Sequence, residues 1–291
     1  MMGEDIRREH HGIRQISLAR LAEFQIMPKR RLGQNFLIDD NILSLILDRL
    51  RLSEGEVVLE VGAGLGVLTA ALADEGAIVH AFEVDSALEP ALLKTLEGRS
   101  GVTTYIQDIM DSAMEDLEPL PTACASNLPY SVAGPFLAEA LYRLPRMTDY
   151  CVMTQREVAK RLGAMPGGKE YGSLSVWVQL NARVEEVRNL SRSIFHPRPH
   201  VDSSLVTLRR EIQHPLVAEN PRWVRKVIDA AFAQRRKTIL NSLTSSLNME
   251  KNEVREVLQA VGVEPGLRAE ALPVGAFPVL ASILWDALEE K

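Results

Sequence analysis

Cysteine is scarce in this 291-residue chain: Cys124 and Cys151 are its only two. Two thiols cannot build a disulfide framework, and no C-x-x-C pair exists to begin a zinc site. Such a composition fits a reducing cytoplasm, the expected location. Aromatic residues make up only 5%, so any surface that stacks on flat rings must rely on a few particular side chains. Long apolar runs are missing too. The longest, Val57 to Ala73, is interrupted by Glu60 and three glycines, and a bilayer span needs about 18 apolar residues in a row. The opening stretch MMGEDIRREHHGIRQ holds no apolar segment, so no secretory signal is expected. Internal repeats and low-complexity tracts are absent as well.

What remains is a globular composition, 46% apolar and 25% charged, long enough for one large core and a smaller second domain. The net charge of -6 argues against a polyanionic partner, but its distribution does not. Residues 54–120 hold 14 acidic and 2 basic side chains, whereas residues 192–237 hold 10 basic and 4 acidic. A polyanion is attracted to the second stretch and repelled by the first. The competing reading is that these bases merely solvate helices.

Residues 5–24 read as an amphipathic helix, ended at Met27-Pro28. Asp39 or Asp40 can cap a helix over 41–51 that buries Ile42, Leu45, Ile46 and Leu50. Strands are expected at 56–61, 78–83, 102–106, 122–126 and 149–154, alternating with helices at 66–74, 86–97 and 135–143. This rhythm predicts an α/β fold with a largely parallel sheet covered on both faces. Residues 183–190 and 203–209 read as a closing antiparallel pair. Beyond 214 the pattern is helical, over 221–234, 237–247, 250–261 and 276–288, with Pro215 and Pro221 marking a linker. The domains expected are an extension at 1–28, a sheet domain at 29–213 and a helical domain at 214–291.

Glu60-Val61-Gly62-Ala63-Gly64-Leu65-Gly66 follows a strand and opens a helix, where glycines let the backbone approach a ligand closely. Glu83 ends the next strand, 21 residues after Gly62, and can accept hydrogen bonds from both ribose hydroxyls. The loop alone suits a nicotinamide enzyme or a nucleoside-type cofactor. Its G-x-G-x-G spacing favours the second, as does Glu60, which would repel a pyrophosphate but attract a sulfonium or an amino group. These features point to S-adenosylmethionine. Asp108, after the third strand, can accept the exocyclic amine of an adenine.

Ser126-Asn127-Leu128-Pro129-Tyr130 follows the fourth strand, at the carboxyl edge where such sheets bind ligands. An adenine amine is a poor nucleophile because its lone pair is delocalised into the ring. Two acceptors aimed at its hydrogens localise that pair: the Asn127 side-chain oxygen and a backbone carbonyl, of Leu128 or Pro129. Tyr130 offers a ring to stack on the base. No strong base is needed, because the amine becomes acidic once methylated. The bland alternative is an Asn-Pro type turn.

Asn127 to Tyr130 with the glycine loop resembles amino-methyltransferases that act on adenine, cytosine or glutamine. Leu32-Gly33-Gln34-Asn35-Phe36-Leu37 is similar to the signature preceding the sheet in rRNA adenine N6-dimethyltransferases. Phe195-His196-Pro197-Arg198-Pro199-His200-Val201-Asp202-Ser203 resembles the F-x-P-x-P-x-V-x-S segment of that family. Gln234-Arg235-Arg236-Lys237-Thr238 with Asn241-Ser242-Leu243 resembles the helical-domain signature of its bacterial small-subunit branch. The likeness runs from residue 29 to about 280. It implies a Rossmann-like class I methyltransferase with a seven-stranded sheet and a small C-terminal helical domain.

The resemblance also implies cofactor contacts at Asn35, Leu37, Gly62, Glu83, Asp108 and Asn127. Phe195 would sandwich a flipped adenine with Tyr130, and Arg198, Arg235, Arg236 and Lys237 would meet phosphates. The implied reaction dimethylates N6 of two adjacent adenosines in the 3′-terminal hairpin of small-subunit rRNA, on an assembling 30S particle. Neither a metal nor a membrane is expected. His196 and His200 have the i, i+4 spacing of a zinc pair, but Pro197 and Pro199 forbid the helix it needs. The rivals are a large-subunit rRNA methylase of the antibiotic-resistance type, a non-catalytic assembly or transcription factor on this fold, and a nicotinamide dehydrogenase. The last would leave Asn127 to Tyr130 unexplained.

Overall fold

A computed structural model describes residues 12–289. Of the helix expected at 5–24, residues 5–11 lie outside the described residues, and the rest is α1 (Ile13–Glu23). A two-residue strand β1 (Phe36–Leu37) and α2 (Asp40–Leu50) follow. The Asp39 side chain caps α2 by accepting from the Asn41 and Ile42 backbone N–H groups. Leu43, Ile46 and Leu50 are the buried face. Ile42 and Leu45, expected there, are only partly buried, and Leu43 lies on the buried face instead.

The alternating region becomes β2 (Val57–Val61), α3 (Val67–Asp74), β3 (Ile78–Glu83), α4 (Glu89–Leu96), β4 (Val102–Ile106), β5 (Ala123–Asn127), α5 (Ala133–Arg143) and β6 (Asp149–Gln155). Then come α6 (Arg156–Leu162), α7 (Ser173–Asn181), β7 (Ala182–Leu190), β8 (Phe195–His196) and β9 (Ser203–Arg210). The chain ends in α8 (Pro215–Glu219), α9 (Pro221–Phe232), α10 (Ile239–Leu247), α11 (Lys251–Ala260) and α12 (Ala276–Glu289).

Seven strands form one sheet in the order β4-β3-β2-β5-β6-β9-β7. Neighbours from β4 to β6 run parallel. Strand β9 runs antiparallel to β7, since Ser204 bonds Asn189 while Glu211 bonds Asn181. The order reverses between β2 and β5, which opens a crevice at their carboxyl ends. Strands β2 and β5 are buried along almost their whole length, as strands covered on both faces are. This is the expected seven-stranded methyltransferase sheet.

The described residues fall into two compact units. The first holds the residues up to Ala133 with Arg146–Arg156 and Arg188–Thr207. Its core gathers Leu43, Ile46, Val58, Leu72, Val79 and Leu92. The second holds Gly134–Pro145, Glu157–Val187 and the residues from Leu208 onward, so it includes all described residues of the helical segment expected from 214. Within it the Trp223 indole donates to the Ala281 carbonyl at 2.7 Å, and the Phe232 and Phe277 rings stack. Among the described residues, no helix is long and apolar enough to cross a membrane.

Candidate active site

The carboxyl ends of β2, β3 and β5 surround a cavity of about 210 Å³ in the first unit. Gly62 turns the chain out of β2 at φ 78°, a left-handed conformation that favours glycine. A Cβ there would lie 3.2 Å from Pro129 Cδ and 3.4 Å from the Asn127 carbonyl. Glycine thus allows the β2 and β5 loops to close on each other. The Gly64 N–H donates to Glu83 Oε2 at 2.8 Å, and the Asp85 N–H donates to Glu83 Oε1 at 2.9 Å. Each Glu83 oxygen keeps a lone-pair direction for an incoming hydroxyl. Burial pushes the Glu83 carboxyl above its usual range, against the backbone donors.

Glu60 is the odd carboxylate. It is 1% exposed, and its Oε2 has no hydrogen-bond partner. It lines a small space of about 30 Å³ together with Leu37, Gly62 and Asn127. Burial pushes its pKa up to about 8; the nearby Thr69 hydroxyl opposes the rise and Glu83 adds to it. An unpartnered buried carboxyl beside a glycine loop is costly unless a donor arrives.

Asn127 closes β5. Its Nδ2 donates to the Asn35 carbonyl at 2.8 Å, which leaves Oδ1 as the side chain's acceptor. The Pro129 carbonyl already accepts from the Val132 and Ala133 N–H groups, at 3.0 and 3.2 Å. Of the two carbonyls considered, that of Leu128 is therefore the better second acceptor. The half-buried Tyr130 ring lines the cavity, and its hydroxyl lies 2.9 Å from Ser203 Oγ on β9. Asp108 also lines it, with Oδ1 held by the Met110 N–H at 2.9 Å.

Asn35, Gly62, Glu83, Asp108 and Asn127 thus meet around one cavity, with Leu128, Pro129 and Tyr130. Leu37 is buried and lines only the smaller space beside Glu60. Phe195 departs from the expected sandwich. It is 2% exposed, pairs with Leu37 across β1 and β8, and packs in the core rather than lining the cavity. Arg198 is exposed and lies outside the cavity lining. In the second unit Arg235, Arg236 and Lys237 are exposed in the turn between α9 and α10. The Arg235 guanidinium donates to the Lys169 carbonyl at 2.7 Å and lies 3.7 Å from Glu270 Oε2.

Sequence reasoning gave no role to Lys29, Asp85 or Ser203. Each acts through a partner more than 50 residues away. Cys124 and Cys151 are free and buried. Burial pushes the Cys124 thiol up to about 12, which leaves it inert. Among the described residues, no three His, Cys, Asp or Glu side chains cluster to hold a metal.

The lining fits a nucleoside cofactor with a charged amino-acid tail. In the smaller space beside the cavity Glu60 Oε2 is buried without a hydrogen-bond partner and can meet a cation, and on the cavity wall Glu83 keeps acceptor capacity for hydroxyls. Gly62 leaves backbone room between them.

A family model described as ribosomal RNA adenine dimethylase matches residues 27–284. Ribosomal RNA small subunit methyltransferase A of Geobacillus thermodenitrificans (strain NG80-2) is 38% identical over 273 residues, covering 91% of this chain and 93% of that protein. Its namesake in Bacillus mycoides (strain KBAB4) is 36% identical over 265 residues, covering 88% and 91%. Among solved structures, a dimethyladenosine transferase from Plasmodium falciparum superposes with a TM-score of 0.71 at 25% identity, covering 88% of this chain and 98% of that one. The 23S rRNA methyltransferase ErmE gives 0.61 at 26% identity, covering 86% and 99%. The chain belongs to the ribosomal RNA adenine dimethylase family.

Proposed function

We propose that this protein uses S-adenosylmethionine to dimethylate N6 of two adjacent adenosines in the 3′-terminal hairpin of small-subunit rRNA, on an assembling 30S particle in the cytoplasm. The observation that carries the chemistry is the Asn127 amide. Its Nδ2 is bonded to Asn35, so Oδ1 is the atom available to accept an N6 hydrogen. The Leu128 carbonyl takes the second hydrogen, and the pair localises the nitrogen lone pair. S-adenosylmethionine, when bound, supplies an electrophilic methyl group. Glu83 holds ribose hydroxyls, Asp108 Oδ2 accepts the cofactor's adenine amine, and Glu60 receives its ammonium. Asn35, Leu37 and Gly62 complete that wall.

Tyr130 stacks on the target base, its hydroxyl steadied by Ser203. Phe195 serves this reading from behind, by fixing β8 against β1. No general base is required, since methylation itself acidifies the amine. Helical segment 214–291 is the RNA-facing part of the second unit, with Arg235, Arg236 and Lys237 on phosphates; in the first unit Arg198 is the phosphate contact.

Likeness to ErmE favours a second reading, a large-subunit methylase. The small-subunit names of the 36–38% identical relatives weigh more. Labelled S-adenosylmethionine offered separately to unmodified small and large subunits decides the particle. Label confined to small subunits is expected. Label in large subunits establishes the second reading, and a particle bound without label establishes a non-catalytic assembly factor.

A further inference from the structure

One wall of the cavity has almost no secondary structure of its own. Residues 31–36 line it, yet this segment contains only a three-residue turn, Arg30–Leu32, and the start of β1. Its shape therefore depends on where its remaining polar groups are bonded.

At one end the anchor is Asp85, just beyond β3. Asp85 Oδ1 accepts from Lys29 Nζ at 2.6 Å, and Oδ2 accepts from Gln34 Nε2 at 2.7 Å. Gln34 Oε1 in turn accepts from the Lys29 N–H at 2.8 Å, which closes the segment into a loop. At the other end the anchor is Asn127, whose amide donates to the Asn35 carbonyl. Asp85 is 6% exposed, and its own N–H is one of the donors to Glu83. One residue thus meets both: its N–H donates to the group assigned to the ribose, and its carboxylate holds the strap that ends at Asn127. Burial works against ionisation of Asp85, but the Lys29 and Gln34 bonds outweigh it and hold the carboxyl below its usual range.

We propose that Lys29, Gln34 and Asp85 are positioning residues for methyl transfer, holding segment 29–36 across the cofactor and so fixing the Asn127 amide with Oδ1 towards the substrate amine. The inference rests on the functional reading above. None of the three need touch the reacting atoms. Their effect passes through Asn35 to Asn127 and through the Asp85 backbone to Glu83. Opening the strap therefore loosens the cofactor and misdirects Asn127 together, while the particle-binding surface is untouched.

The test compares Lys29→Met, Gln34→Leu and Asp85→Asn with Lys29→Arg in the full chain. Calorimetry reads the affinity for S-adenosylhomocysteine, kinetics reads kcat and both KM values, and melting reads the ligand-free fold. Lys29→Met and Asp85→Asn should each weaken cofactor affinity about ten-fold and lower kcat by a similar factor. The KM for the small subunit should stay within about two-fold, and melting should be near wild type. Lys29→Arg, which keeps the charge, should recover most of the affinity. Should Asp85→Asn fail to fold, Lys29→Met and Gln34→Leu carry the comparison, since both sit on the strap. Folded Lys29→Met and Gln34→Leu proteins with unchanged affinity and kcat overturn the proposal. A wild-type chain that binds no S-adenosylhomocysteine overturns the functional reading instead.

Discussion

At the carboxyl ends of β2 and β3, Glu60 and Glu83 are buried, and Glu83 is held by two backbone donors. In the turn between α9 and α10, Arg235, Arg236 and Lys237 are all exposed, and the structure ties Arg235 to the Lys169 carbonyl. Both regions are rich in ionisable side chains, acidic in the first and basic in the second. Buried carboxyls are fixed in direction, and one that burial keeps protonated ionises when a cation arrives beside it, which suits binding a small cation. Exposed charges keep their freedom and are screened by salt, which suits the phosphates of a folded RNA. Single substitutions should therefore be severe in the first region and graded in the second.

Asn127→Ala should give the largest effect. Turnover should fall about 100-fold or more, by analogy with loss of one preorganised hydrogen-bonding group, and cofactor affinity should fall to a lesser degree because the amide also anchors Asn35, while particle affinity changes little. Single-turnover rates check this; an unchanged rate would remove Asn127 from the chemistry. Glu83→Ala comes next, with cofactor affinity down at least about ten-fold and particle affinity unaltered, as read by calorimetry and filter binding.

Glu60→Gln sharpens the comparison through pH. The folded pKa of Glu60, about 8, lies above its ordinary 4.5. The unfolded chain therefore releases this proton first as pH rises. The stability contribution is complete below about 4.5 and is lost by about 8, at most ~1.4 kcal/mol per pH unit. Urea unfolding of the ligand-free protein should show that decline in wild type and lose it in Glu60→Gln, which should also bind the cofactor more weakly. Parallel pH profiles would place the carboxyl in contact with solvent.

The smallest effects belong to the basic turn. Replacing Arg235, Arg236 and Lys237 together should weaken particle binding and reduce its salt slope by about 2 to 3. The single Arg236→Ala change should move affinity only a few-fold. A salt slope left intact would turn these side chains away from RNA.

The strands and most helices were legible because each carried a period or a breaker, and the glycine loop and Asn127 to Tyr130 carried their chemistry in adjacent residues. Helix α7 carries no legible period: Leu174, Val176, Trp177, Val178 and Leu180 are all buried, so no polar face marks it. Strands β1 and β8 span two residues each, too short for alternation. Phe195, which the resemblance sets against the target base, is buried and packs in the core, and the motif alone carries no sign of that. The Lys29–Asp85–Gln34 node joins residues 51 to 56 positions apart, and nothing local marks such a contact.

The most direct measurement is nucleoside mass spectrometry of rRNA from unmodified small subunits incubated with this protein and S-adenosylmethionine. Two N6,N6-dimethyladenosines per subunit, adjacent in the 3′-terminal hairpin, is the predicted result. Methylated cytidine, or adenosine carrying only one methyl at completion, would contradict the account of how Asn127, Leu128 and Tyr130 present the amine.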